Sequence, residues 1–183
     1  MPEIQLRSAS ALDIAALVML DHGYSTDYVW QVNVQQPEED EIDVNFRKVR
    51  LPRSMRVEYP HAASQLQDDW KSRHGLLLAE LPEQRLEIIG YISLVKDRLP
   101  ATAWITDLVV TDRLRRRGVG TALMLAAQDW ARAQGCYRLI FEMQPKNYPA
   151  INLAQKLGFA FCGYQDRYFA NQDIGLFFTK AVR

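Results

Sequence analysis

The sequence lacks the features that mark many functional classes. It has two cysteines in 183 residues, Cys136 and Cys162, too few for a disulfide framework in a chain this long. Neither stands in a CxxC or Cys/His spacing, and the three histidines, His22, His61 and His74, are scattered. No metal centre is expected, and each histidine reads as structural or surface-exposed. Charge of neither sign is in excess, because 22 basic side chains balance 22 acidic ones. A chain without a net field has no global attraction to nucleic acid or to an anionic membrane. No apolar run approaches the roughly 18 residues that a membrane-crossing helix needs. The opening MPEIQLRSAS lacks a charged stretch followed by an apolar one, so no secretion signal is expected. A soluble protein of the reducing cytoplasm is the expectation.

What is present is an apolar fraction of 48%, enough for a sizeable core, and a length that fits one domain over 1–183. Ile4 and Leu6 alternate with polar residues, as in a short strand. Ser10 opens a helical segment, with Asp13 completing a near capping box. Residues 28–51 alternate on either side of the acidic turn Pro37-Glu38-Glu39-Asp40-Glu41, which predicts a hairpin with one wet face. A short helix is expected from His61 to Arg73, ended by Gly75. Strands are expected at Leu76–Ala79, Leu86–Val95 and Ala103–Val110, with a turn at Pro82-Glu83-Gln84, a loop from Lys96 to Thr102 and a bulge or close approach at Gly90. Helical periodicity follows over Gly118–Gln134, capped by Gly135. A strand at Arg138–Met143, a helix at Pro149–Leu157 capped by Gly158, and strands at Phe159–Tyr164 and Ile174–Lys180 complete the chain. The fold class is α/β (mixed α+β), a mixed central sheet with helices on both faces and an inserted hairpin near the N-terminus.

One stretch carries a chemical signature. Arg115-Arg116-Arg117-Gly118-Val119-Gly120 falls between a strand and the start of a helix at about Thr121. Unpaired N–H groups and the helix dipole favour an anion there. The glycines remove Cβ atoms that would hold a pyrophosphate away, and the arginines add positive charge.

The segment Ile105-Thr106-Asp107-Leu108-Val109-Val110, followed by Arg115-x-x-Gly118-x-Gly120-Thr121, resembles the acyl-CoA signature of the GNAT superfamily of N-acetyltransferases. Downstream, Asn147-x-x-Ala150-Ile151-x-Leu153-x-x-Lys156-Leu157-Gly158-Phe159 resembles that superfamily's second motif. The resemblance spans residues 76–163, and residues 21–60 form an atypical insert that would shape the acceptor site. It implies a GNAT-like sheet and acetyl-CoA as cosubstrate, with no metal. Backbone N–H groups of Arg115, Arg116, Arg117, Gly118, Val119, Gly120 and Thr121 would hold the pyrophosphate. The strand edge Leu108, Val109 and Val110 would receive the pantetheine, and Asn147 would bond the same arm.

Direct acetyl transfer needs a base for the amine, a hydrogen-bond donor to the thioester oxygen, and a proton for the leaving sulfur. The resemblance implies Glu142, five residues before Asn147, as base. Asp107, acting through water, is the rival. The superfamily's acid is a tyrosine at the position of Ala154, which has no hydroxyl, so either Tyr148, Tyr164 or Tyr168 substitutes or the CoA thiolate leaves without an acid. The segment Arg167-Tyr168-Phe169-Ala170-Asn171-Gln172-Asp173 partly resembles a peptide-lining element of N-terminal protein acetyltransferases. Tyr24, Tyr28, Trp30 and the acidic turn fall where the acceptor pocket is expected, and an acidic lip would attract a cationic amine.

Three functions follow. The first is an acetyltransferase acting on a primary amine of a small molecule or a peptide N-terminus. The second is a CoA-binding regulatory module with weak or lost catalysis, suggested by Ala154. The third, nucleic-acid binding through Arg113 to Arg117, is disfavoured because the rest of the chain has no basic surplus. Membrane partners are not expected, and self-association as a homodimer is left open.

Overall fold

The computed structural model describes residues 3–82, 87–96 and 98–182. Strand β1 (Gln5–Ser8) leads into a 3-10 turn (Ala11–Asp13) and the short helix α1 (Ile14–Val18). The capping box forms around Asp13, whose carboxylate accepts from the Ser10 backbone N–H at 2.7 Å and its hydroxyl at 2.8 Å. Arg7 adds two bonds to the same carboxylate, at 2.7 and 2.8 Å. These contacts fix the entry to the first helix.

The expected hairpin is longer than its alternation predicts. Strands β2 (Tyr24–Gln35) and β3 (Asp43–Val57) pair from Gln35↔Asp43 to Tyr24↔Val57 as a separate two-stranded sheet. The ladder is broken at Pro52, where the register jumps from Tyr28↔Arg50 to Thr26↔Met55, and a bulge is a place where a residue without a donor is tolerated. Helix α2 (Ala63–Asp69) and a 3-10 turn (Trp70–Ser72) follow, shorter than the predicted 61–73 helix. Gly75 does not cap that helix. It begins β4 (Gly75–Leu81), where an added Cβ would lie 2.6 Å from the Trp130 indole. Close packing, rather than turn geometry, requires the glycine.

The main sheet adds β5 (Glu87–Val95), β6 (Thr102–Val110), β7 (Arg138–Met143), β8 (Ala160–Gln165) and β9 (Gly175–Ala181), in the order β1-β4-β5-β6-β7-β9-β8. The predicted turn after Pro82 and part of the loop after Lys96 lie outside the described residues. Gly90 is the close approach anticipated, since a Cβ there would sit 2.6 Å from the Val109 carbonyl. Helix α3 (Val119–Ala133) and helix α4 (Tyr148–Lys156) cover one face over a core that includes Ile92, Ile105, Leu123, Phe141 and Ile151. Ile14, Leu17, Leu66, Leu78, Tyr91 and Val109 form a second core under α1 and α2 on the other face. No helix among the described residues is long and apolar enough to cross a membrane.

Two irregularities of β6 position the site. β6 and β7 are parallel and pair only from Thr102↔Arg138 to Ile105↔Phe141. Beyond that, β6 follows β5 to Val110↔Gly90 and β7 follows β9 to Met143↔Leu176, so the two strands part into a cleft. The second feature is a bulge. Ser93 pairs with Asp107 and Leu94 with Ile105, leaving Thr106 as the extra residue. A bulge resets side-chain parity. Ile105 and Leu108 consequently both meet the α3 core, while Asp107 turns to the opposite face.

Candidate active site

The Arg-Gly segment has the geometry of an anion cradle. Gly118 is the N-cap of α3 with φ 91°, a left-handed conformation that favours glycine. The first intrahelical bond runs from Ala122 N–H to the Gly118 carbonyl at 2.9 Å. The Val119, Gly120 and Thr121 amides therefore have no acceptor inside the helix, and no side chain caps them. Gly120 also lets α3 approach α4, because a Cβ there would lie 3.1 Å from Leu153. Arg116 and Arg117 are exposed beside this end. Arg115 differs. Its Nε donates to the Val110 carbonyl and its Nη2 to the Gly23 carbonyl, each at 2.8 Å, so its side chain is a strut between β6 and the start of β2.

Along the β6 edge, the Leu108 N–H faces the cleft and donates to Tyr59 Oη at 3.2 Å. N–H direction alternates along a strand, so Val109, one residue on and opposite Tyr91, turns its amide toward β5 rather than the cleft. Its side chain is buried in the second core. Asn147 is the N-cap of α4, and its Oδ1 accepts from the Ala150 N–H at 3.2 Å. Part of the side chain assigned from sequence to the pantetheine arm is thus committed to the helix.

Asp107 and Glu142 come from the two strands that part, and both are nearly buried, with side-chain exposures of 4% and 2%. They lie on the face opposite α3 and α4. Glu142 Oε2 accepts from Tyr168 Oη at 2.6 Å and from Arg98 Nη1 at 2.5 Å, and Arg98 also donates to Tyr168 Oη at 3.0 Å. Burial pushes the Tyr168 phenol well above its ordinary pKa, and the Glu142 charge adds to this. Tyr168 sits in the β8–β9 connection, and its ring lies where a Cβ of Gly175 would be, 2.6 Å away. Of the three tyrosines that could replace the hydroxyl missing at Ala154, Tyr168 is the one hydrogen-bonded to a strand carboxylate. Tyr148 packs on Tyr28, with ring centroids 4.8 Å apart, beneath Lys48. Tyr164 packs on Phe46 of the hairpin. Ala154 itself is fully buried in the core.

Asp107 is fully engaged. Its Oδ1 accepts from His61 Nδ1 at 2.8 Å, and its Oδ2 accepts from Arg73 Nη1 at 3.1 Å and Thr106 Oγ1 at 3.0 Å. Burial raises its pKa, but His61, Arg73 and Thr106 outweigh burial and hold it below the usual carboxylate range. Sequence reading treated His61 as structural or surface-exposed and so missed this contact. The partners are 46 residues apart, and no local pattern announces them.

The inserted hairpin is tied to this region by particular bonds. Trp30 N–H donates to the Pro145 carbonyl at 3.0 Å, and Tyr24 Oη donates to Gln144 Oε1 at 2.8 Å. Gln144 Nε2 and Lys146 Nζ then donate to Asp173, at 2.6 and 2.8 Å. The aromatic residues of the insert therefore border the cleft, whereas the acidic turn lies at the exposed tip.

Residues 46–159, more than half of the chain, match the model of the acetyltransferase (GNAT) family. A streptothricin acetyltransferase of Streptomyces lavendulae is 42% identical over 59 residues, 32% of this chain and 31% of that protein. The chain thus matches about a third of that relative's length. The solved nourseothricin acetyltransferase superposes with a TM-score of 0.81 at 22% identity, covering 98% of this chain and 99% of that one. A Bacillus anthracis str. Ames structure, described as a candidate streptothricin acetyltransferase in complex with acetyl coenzyme A, gives 0.75 at 19%, covering 99% of each chain. At these identities the structures establish the fold alone, and the family model establishes membership. The chain belongs to the acetyltransferase (GNAT) family.

Proposed function

We propose that this chain, acting as one domain over 1–183, transfers an acetyl group from acetyl-CoA directly to a primary amine, with a small cationic molecule of the streptothricin class as the first acceptor to test. A peptide amine is the second. The observation that carries the reading is the cleft between β6 and β7. It opens toward the uncapped end of α3 and holds one carboxylate from each parting strand. The residues fit the cosubstrate. Amides 119–121, with exposed Arg116 and Arg117, suit a pyrophosphate. The Leu108 amide, bonded here by a tyrosine hydroxyl, suits a carbonyl oxygen along the strand edge.

In this reading Glu142 and Arg98 hold Tyr168 at the cleft, and Tyr168 is the proton donor to the departing sulfur. The hydroxyl absent at Ala154 is supplied by another element, which supports turnover over a binding-only module. The streptothricin acetyltransferase relative suggests the acceptor class, since the two buried carboxylates are already paired with Arg98 and Arg73. The insert 21–60 would shape the acceptor side through Tyr24, Tyr28 and Trp30.

Calorimetry and turnover test this together. The protein should bind acetyl-CoA and release CoA when an amine panel includes a streptothricin-type antibiotic and lysine peptides. Gly118→Ala, which forces a side chain into a positive-φ position, should weaken acetyl-CoA binding. Undiminished affinity in that variant would remove the phosphate-cradle assignment.

A further inference from the structure

The mechanism so far leaves the acceptor's own proton without a destination. Tyr168 and Arg98 both bond Glu142 Oε2, which couples that carboxylate to a fixed cation. Asp107 is spent on His61, Arg73 and Thr106. Neither carboxylate is arranged as a simple open base. His61 is. From the segment joining β3 to α2, its ring reaches both walls of the cleft. On one side Nδ1 meets Asp107 of β6; on the other its ring lies 5.6 Å from that of Phe169, the neighbour of Tyr168. Its ring also lies 6.1 Å from Tyr59, whose hydroxyl bonds the Leu108 amide.

We propose that His61, oriented by Asp107, is the catalytic base that takes the proton from the acceptor amine. The proposal rests on the acetyltransferase reading above. The tautomer follows from the partner. An ionised carboxylate only accepts, so Nδ1 carries the hydrogen and Nε2 of the neutral ring holds the lone pair. The His61 side chain remains 26% exposed, while that of Asp107 is 4% exposed. Asp107 is in turn locked by Arg73, which also bonds Ser93, Thr106 and Asp69. This is the geometry of a base held by a buried orienting carboxylate. Behind it lies a cavity of about 10 Å³, room for a single water, bordered by His22, Tyr59, His61, Arg73, Tyr91 and Asp107.

The step balances. The acceptor ammonium gives one proton to His61 Nε2. The freed nitrogen lone pair forms the N–C bond, the C–S bond breaks, and the electron pair leaves on sulfur. The second proton lost by nitrogen neutralises the sulfur through Tyr168, and His61 returns its proton to solvent. The products are an amide and a thiol.

The charged groups around His61 set its pH range. Burial lowers its pKa, and Arg73 lowers it further. The hydrogen bond and charge of Asp107, with the charge of Glu142, outweigh both and leave the imidazole above its ordinary value. Turnover should therefore rise with pH through an ionisation above the reference value of about 6.5 and level off once His61 is neutral.

The test combines imidazole ¹⁵N NMR of the whole protein with kinetics of His61→Ala and His61→Gln. In the wild type the neutral ring should carry its hydrogen on Nδ1, and its midpoint should fall in Asp107→Asn. A hydrogen on Nε2, or an unmoved midpoint, would overturn the dyad without reference to turnover. Both His61 variants should keep acetyl-CoA affinity, lose about 10²–10⁴-fold in kcat at neutral pH, and lose the rising limb of the pH profile. Added imidazole should restore part of the rate to His61→Ala, which a folding defect would not allow. A wild-type rate and profile in both variants, or a rising limb that disappears in Glu142→Gln instead, would overturn the proposal. Wild-type protein that neither binds acetyl-CoA nor acetylates any amine would overturn the underlying reading instead.

Discussion

In the proposed reaction, Tyr168 would supply from another part of the fold the hydroxyl that Ala154 lacks. Ala154 is fully buried against the sheet, so a phenol there would have to displace core side chains. Tyr168 reaches Glu142 from the β8–β9 connection. Tyr168→Phe keeps the ring and removes the hydroxyl. It should lower kcat by about 10²–10⁴-fold while calorimetric affinity for acetyl-CoA stays near wild type; an unchanged kcat would remove Tyr168 from the reaction. Much at this scale was legible. Alternation along Leu139-Ile140-Phe141-Glu142-Met143 alone puts Glu142 opposite Phe141 and Met143, and the structure agrees. The partners of Glu142 were not legible. Arg98 lies 44 residues before it and Tyr168 lies 26 after, and only tertiary folding brings them together. The same reason hid His61. The engagement of the Arg115 side chain was hidden for a different reason, because a basic run next to glycines does not reveal which guanidinium is bonded by carbonyls.

At the scale of elements, local signals carried the order of strands and helices. Glycines were the least reliable guide, since one residue type serves several purposes. Gly118, Gly135 and Gly158 have positive φ at helix ends, as turn chemistry predicts. Gly75 is instead a packing glycine under Trp130, and Gly175 lies under the Tyr168 ring. Adding a methyl at Gly175 must shift a ring whose hydroxyl is held at 2.6 Å from Glu142. Gly175→Ala should therefore reduce kcat more than it reduces acetyl-CoA affinity. A crystal structure of the variant should show Tyr168 displaced, and an undisturbed Tyr168–Glu142 bond with reduced kcat would contradict the assignment. The bulge at Thr106 and the parting of β6 from β7 could not be read from sequence. Both depend on pairing with neighbouring strands, and the run Ile105–Val110 reads as a continuous strand without them.

For the whole molecule, stability responds to two ionisations of opposite sign, and the second should also govern turnover. Arg7 is the main partner of Asp13, and the pair, with the Ser10 bonds, holds the Asp13 carboxyl well below the usual range despite partial burial. A depressed folded-state pKa contributes stability above the unfolded value of about 3.9, and that stability is lost as pH falls through the folded value. Asp13→Asn should cost about 1–3 kcal/mol at neutral pH, measured by denaturant unfolding. The gap from wild type should shrink below about pH 4; a gap independent of pH would show that Asp13 acts through packing alone. His61 has the opposite sign. Its raised pKa contributes stability below about pH 6.5 that is lost as pH rises through the folded value, the same interval in which turnover should increase.

Transfer of the acetyl group to an amine is the property that everything else depends on. The most direct measurement incubates the protein with acetyl-CoA and a streptothricin-type antibiotic, with lysine peptides in parallel, and follows acceptor and protein by mass spectrometry. The predicted result is an acceptor carrying one acetyl group on nitrogen, with CoA released in equal amount and no acetylated protein intermediate. Acetyl-CoA bound with no acetylated amine in any sample would contradict it.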